Sequence, residues 1–173
     1  SLETACMSGA GHLLNFTGTD TIPAIAWLEK YYNADVTKEL VGASVPATEH
    51  SVMCAGSKDG EIDTFRALMK AYPKGILSVV SDTWNLWDVL GKFLPEMKEE
   101  ILARDGKLVI RPDSGDPVDI LCGLNTSDIY RDEEEFEVDP TAEEFKGVIE
   151  LLWDVFGGTI NEKGYKVLDP HIG

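Results

Sequence analysis

Basic residues are scarce in this chain. Fifteen Lys and Arg stand against 31 Asp and Glu in 173 residues, a formal net charge of -16. A nucleic-acid-binding face needs clustered cations to neutralise phosphates, and an anionic membrane surface asks for the same, so neither partner is expected. A phosphorylated small molecule stays in play, because such ligands travel with a divalent cation that carboxylates can hold. No apolar run approaches the roughly 20 residues of a membrane span. The opening Ser1-Leu-Glu-Thr-Ala5 lacks the basic start and apolar stretch of a signal peptide. The cysteines, Cys6, Cys54 and Cys122, are odd in number and far apart. That pattern speaks against a disulfide framework and against a CxxC zinc site, and fits incidental thiols of a reducing cytosol. The three histidines, His12, His50 and His171, are too dispersed for the usual metal-ligand clusters. There is no initiator Met, and the end, Lys166 to Gly173, reads as the approach to another strand. The expectation is a single piece, 1–173, of a longer protein, incomplete at both ends.

What is present is a loose period of about 30–35 residues, the size of a βα unit. Short apolar runs occur at His12–Phe16, Val41–Val45, Ile76–Val80 and Lys107–Ile110, each followed by polar turn residues. That is the pattern of buried parallel strands. Helical patterns fall between them. Ile22–Tyr32 follows a Thr21 that can serve as N-cap, with Pro23 tolerated in the first turn. Asp59–Tyr72 puts Ile62, Phe65, Leu68, Met69 and Tyr72 on one face. Trp84–Leu94 ends before Pro95, and a short helix Glu96–Ala103 follows. The alternation predicts an α/β fold with parallel βα units.

The last third departs from this rhythm. Residues 124–144 are predicted to form an acidic surface loop, eight of whose carboxylates fall in 132–144. Thr141 and Glu144 have the spacing of a capping box. Phe145, Val148, Ile149, Leu152, Trp153 and Phe156 then predict an apolar helix stripe, ended by Gly157-Gly158. Asn161–Gly164 reads as a turn before a final strand.

Asp20, Glu49, His50, Asp82, Arg111 and Asp113 all fall just after predicted strands. In parallel α/β architectures the carboxyl ends of the strands form the ligand-binding face. Each residue also has a structural reading. Thr17–Thr21 is either a turn with a cap or a place where Asp20 accepts a ligand amide. Glu49-His50 is either a surface pair or a base or nucleophile, because a carboxylate on one imidazole nitrogen fixes the tautomer and frees the other. Asp82 is either that carboxylate or the N-cap of the Trp84 helix. In Arg111-Pro-Asp-Ser-Gly115, Pro112 restricts the backbone and Gly115 lets it turn. Arg111 can grip a phosphate bidentately and Asp113 can accept ribose hydroxyls or hold water of a hydrated Mg2+. A structural Arg–Asp pair is the alternative. Trp84, Trp87 and Trp153 lie on helical stripes and are expected in the core.

Four strings together carry a family resemblance: His12–Thr21, Ser44-Val-Pro-Ala-Thr-Glu-His-Ser51, Ser78-Val-Val-Ser-Asp82 and Val109-Ile-Arg-Pro-Asp-Ser-Gly-Asp-Pro117. In order and spacing they resemble the nicotinamide phosphoribosyltransferase family, over nearly the whole chain. The resemblance implies part of an irregular α/β barrel of the type II phosphoribosyltransferase kind. It implies a cytoplasmic homodimer in NAD salvage, transferring phosphoribosyl from phosphoribosyl pyrophosphate to nicotinamide, with Mg2+ on the pyrophosphate and ATP as a coupling ligand. By resemblance, His50 is the histidine that ATP phosphorylates and Asp82 its supporting carboxylate. Asp113 joins them as catalytic, with Arg111 beside it at the base and ribose sites. Asp20 contacts the nicotinamide amide, and Ser44, Ser78 and Glu49 lie near the substrate. No residue is assigned as a direct metal ligand.

Two departures bear on this expectation. The family's upstream aromatic and arginine would precede Ser1, and its phosphate-binding turns would follow Gly173. The piece is therefore expected to be inactive alone. Rival readings are a nicotinate phosphoribosyltransferase, a metal-dependent hydrolase built on Glu49, His50, Asp82 and Asp113, and a non-catalytic binding module with a degenerate site.

Overall fold

The structure is a computed structural model and describes residues 1–125 and 141–173. It divides into two compact units, Ser1–Val45 and Pro46–Gly173, each taken here by itself. Most of the expected acidic loop, 126–140, lies outside the described residues.

In the first unit, helix α1 spans Leu2–Leu13 and α2 spans Pro23–Tyr32. Ser1 caps α1, its hydroxyl accepting from Thr4 N–H. Cys6, Ala10 and Leu13 recur at helical spacing and are buried, and Ala10 and Leu13 meet Ala24, Leu28 and Val41 in a small core. Gly9 lets the two helices close up, since a Cβ there would press on Ala24 and Thr21. The expected strand His12–Phe16 is thus corrected. Its first residues finish a helix whose stripe begins upstream, and the extended pairing falls on the next residues. Ala43 N–H donates to Thr17 O at 2.7 Å and Thr19 N–H to Ala43 O at 2.9 Å, around a parallel bridge between Gly18 and Ala43. The run Val41–Val45 contributes that one bridge and no longer strand. Helix α2 forms as expected with Pro23 in its first turn, but Thr21 does not cap it through its side chain.

The second unit holds α3 (His50–Ala55), α4 (Glu61–Ala71), β1 (Lys74–Val80), α5 (Leu86–Asp88), α6 (Leu94–Glu96), α7 (Lys98–Leu102), β2 (Asp105–Arg111), α8 (Pro117–Cys122), α9 (Ala142–Phe156), β3 (Gly158–Ile160) and β4 (Lys166–Leu168). Strands β1 and β2 pair in parallel from Lys74–Asp105 to Val80–Arg111. Ala47 adds a parallel bridge to Ser78, and Ile172 adds one to Leu108. Four extended positions therefore lie side by side in chain order, joined by helical crossovers. β3 and β4 form an antiparallel hairpin around the turn predicted at Asn161–Gly164.

The core of this unit gathers Leu77, Val79 and Val80 from β1, Leu108 and Ile110 from β2, and Phe65 and Met69 from α4. Leu90, Leu94, Met97 and Ile101 join it, and Tyr72 of the predicted α4 face stays exposed. Residues 86–96 do not stop before Pro95. They run on through a π-helical turn, Val89–Phe93, and Pro95 sits in α6 directly after it.

The Thr141–Glu144 capping box is present at the start of α9. The stripe on that helix is rephased, however, because Gly147 adopts φ 73° and breaks the helical backbone. Val148, Leu151, Leu152 and Phe156 face the core, while Phe145 and Ile149 are exposed. Only glycine suits Gly147, since a Cβ would run into the backbone of Leu121–Gly123. Trp87 packs against the core as expected, but Trp84 is exposed.

Candidate active site

The parallel register of β1 and β2 sets their carboxyl ends level. Ser81 N–H donates to Arg111 O at 3.1 Å, so Asp82 emerges beside the Pro112–Gly115 loop. Asp82 turns its carboxylate onto that loop. Its Oδ2 accepts the N–H of Asp113 at 2.7 Å and of Ser114 at 2.8 Å. The side chain is 9% exposed. Burial pushes the carboxyl up, but the hydrogen bonds from Asp113 and Ser114 outweigh it and hold Asp82 below the ordinary carboxylate range. Its other oxygen, Oδ1, is buried without a hydrogen-bond partner and lies 3.9 Å from His50 Nε2.

His50 is the first residue of α3, after Glu49 at the N-cap. The helix follows Thr48, which is buried and ties the segment to β1. Thr48 N–H donates to Ser78 O at 3.0 Å, and Thr48 Oγ1 accepts Val80 N–H at 3.0 Å. The imidazole thereby reaches the ends of β1 and β2. Nε2 lies 3.3 Å from Asp113 Oδ2, and Nδ1 lies 3.0 Å from Thr83 Oγ1. Arg111 closes the group: its Nη1 donates to Asp113 Oδ1 at 3.0 Å and its Nη2 to Thr48 O at 3.5 Å.

The structure thus brings together His50, Asp82, Arg111 and Asp113. It does not make Asp82 the N-cap of the next helix. Asn85 does that, its Oδ1 accepting from Trp87 and Asp88. Glu49 is exposed and makes no cap bond through its side chain. Ser78 is half-buried in β1, where its N–H and C=O pair with Pro46 and Thr48. Asp20 and Ser44 belong to the first unit, where Ser44 Oγ donates to Asp20 Oδ1 at 2.7 Å.

Sequence reasoning missed Thr48, Thr83 and Ser114. Thr83 was within reach, since it directly follows Asp82, but a hydroxyl carries no charge pattern to mark it. A cavity of about 310 Å3 lies against α1 and α2, lined by Met7, Leu14, Trp27 and Tyr31 among others and by none of the site residues above.

The arrangement can do three things chemically. A guanidinium and a carboxylate held 3.0 Å apart offer donors for phosphate and acceptors for hydroxyls. Carboxylates beside an imidazole can stabilise positive charge on the ring. Asp113, half-exposed, can also contact a hydrated cation through water. A direct cage is a different matter, because among the described residues no three His, Cys, Asp or Glu are placed to hold a metal ion.

The family model described as "Nicotinate phosphoribosyltransferase (NAPRTase) family" matches residues 1–169. A protein of Acinetobacter baylyi named nicotinamide phosphoribosyltransferase is 48% identical over 180 residues, covering 98% of this chain and 32% of that protein. Proteins of the same name from Mycoplasma pneumoniae and Xanthomonas campestris are 35% and 34% identical, covering 100% and 98% of this chain and 33% and 31% of theirs. The chain spans about a third of the length of these relatives.

Proposed function

For a chain that belongs to the nicotinate phosphoribosyltransferase family, we propose that it is part of an enzyme of NAD salvage. That enzyme transfers phosphoribosyl from phosphoribosyl pyrophosphate to the ring nitrogen of nicotinamide, giving the mononucleotide and pyrophosphate. The observation that carries the reading is the convergence of His50, Asp82, Arg111 and Asp113 at the carboxyl ends of two paired parallel strands. Relatives that carry the name nicotinamide phosphoribosyltransferase support the choice of reaction. In the whole protein the parallel βα units continue into an irregular barrel, in keeping with four extended positions in chain order and no reversal among them. The enzyme is a cytoplasmic homodimer.

Displacement at an anomeric carbon passes through a state with oxocarbenium character. Asp113 accepts ribose hydroxyls and stabilises the positive charge on the sugar. Arg111 holds the ribose phosphate or the base, its fork steadied by Asp113 and by the Thr48 carbonyl. The donor set fits Mg2+ only at second hand. Asp82 Oδ2 is committed to two backbone N–H groups and Asp113 Oδ1 to Arg111, so Asp113 would hold the ion through water. When bound, Mg2+ neutralises charge on the departing pyrophosphate. Asp20 accepts from the amide NH2 of nicotinamide through Oδ2, its Oδ1 being engaged by Ser44. ATP phosphorylates His50, and the added negative charge couples hydrolysis to tighter substrate binding.

The family's name favours nicotinate as a second reading. Asp20 argues against it, because two carboxylates would repel. Replacing Asp113 by Ala in the complete protein tests the site. Pyrophosphate release with nicotinamide should fall by about a hundredfold or more in kcat, the scale for losing a group that stabilises transition-state charge. An unchanged rate would remove Asp113 from the chemistry and leave the reading without its centre.

A further inference from the structure

The two ring nitrogens of His50 have different neighbours. Nε2 faces Asp113 Oδ2 at 3.3 Å and Asp82 Oδ1 at 3.9 Å. Nδ1 faces only a hydroxyl among its hydrogen-bond partners, Thr83 Oγ1 at 3.0 Å. Nε2 is thus the ring nitrogen beside the carboxylate oxygens, and the proton of the neutral ring is best placed there. Asp82 Oδ1 adds to that demand, because it is buried without a hydrogen-bond partner and lies 3.9 Å from Nε2. The lone pair then sits on Nδ1, and Thr83 O–H is its donor.

Resting on the reading of His50 as a phosphoryl acceptor, we infer that Thr83 is a positioning residue, whose hydroxyl orients the ring so that it reacts through Nδ1. Thr83 suits this task. It follows Asp82 directly, so one turn after β1 both anchors the Asp113–Ser114 loop and aims the imidazole. Its β-branch restricts χ1, so the hydroxyl is held in place with little further ordering. In the step itself, the Nδ1 lone pair forms a bond to the γ-phosphorus of ATP. The bond from that phosphorus to the bridging oxygen breaks, and its electron pair leaves with ADP. The Nε2 proton stays on the ring, and its positive charge is balanced by Asp113 and Asp82. The Thr83 hydroxyl passes its hydrogen bond from Nδ1 to a phosphoryl oxygen.

The test uses the complete protein, γ-labelled ATP and rapid quenching, and follows base-stable, acid-labile label on His50. Thr83→Val keeps the shape and removes the O–H. It should slow labelling about tenfold, the scale of one lost hydrogen bond, and Thr83→Ser should restore most of the rate. Phosphorus–nitrogen NMR of the unsubstituted, labelled protein should place the phosphorus on Nδ1, a readout that needs no variant to fold. Label on Nε2, or wild-type labelling by Thr83→Val, overturns the role of Thr83 while leaving phosphorylation intact. A wild-type protein that turns over substrate yet takes no label at His50 overturns the reading beneath it.

Discussion

Asp82 and Ser114 come from the ends of neighbouring strands, and the carboxylate of one accepts the backbone N–H of the other at 2.8 Å. With the matching bond from Asp113 at 2.7 Å, one oxygen of Asp82 fixes the loop that carries Asp113. A charged acceptor strengthens such bonds, to roughly 1.5–3 kcal/mol each where water is excluded.

Asp82→Ala should therefore loosen the loop more than it unfolds the protein. Amide hydrogen exchange should quicken at Asp113 and Ser114 by at least about tenfold, with β1 and β2 little changed. The pH dependence follows from sign. A carboxyl held below its ordinary value of 3.8 contributes stability that is present above that value and lost as pH falls through the lower, folded one. Protection of the two amides should persist down through the ordinary range. Loss of protection already at pH 5 would contradict this.

Glu61 presents the opposite case. It opens α4, is 2% exposed, and its Oε1 has no partner. Burial first, then the charge of Asp88, push its carboxyl up to about 7, with Lys58 pulling the other way. Its folded value lies above the ordinary 4.5, so its favourable contribution is complete below 4.5 and drains away as pH rises through about 7. Glu61→Gln should be more stable than the parent at pH 8, by up to about 3 kcal/mol at about 1.4 kcal/mol per unit. Urea unfolding at pH 5 and pH 8 measures it, and parallel pH slopes for parent and variant would refute it.

The proposed role of Asp20 is in the choice of base. Ser44 Oγ donates to one of its oxygens at 2.7 Å, which leaves the other for the amide donor proposed above. Asp20→Asn removes the repulsion toward a carboxylate ligand and weakens the acceptor. The ratio of nicotinamide to nicotinate kcat/KM should fall by about tenfold or more, from a lost charge-assisted hydrogen bond. An unchanged ratio would take Asp20 out of base selection.

Strand pairing near the site was legible because β1 and β2 are short apolar, β-branched runs with polar ends, and nothing else in 74–111 competes for the sheet. The strand expected at His12–Phe16 failed because Cys6, Ala10 and Leu13 continue a helical stripe that no reading from His12 onward can see. On α9 the sequence shows one unbroken stripe, yet the positive φ of Gly147 rotates it, and a single glycine does not announce a kink. Likewise, His50, Asp82, Arg111 and Asp113 stand out by charge after strands, whereas Thr83 and Thr48 act through a hydroxyl and a carbonyl, which composition does not mark.

The central claim is the reaction, and one assay addresses it directly. The complete protein would be given phosphoribosyl pyrophosphate and Mg2+ with equal nicotinamide and nicotinate, with and without ATP, and both mononucleotides quantified. The account predicts that nicotinamide mononucleotide dominates, and that ATP raises its yield. Dominance of the nicotinate product would contradict the substrate, and no mononucleotide from either base would contradict the proposed reaction altogether.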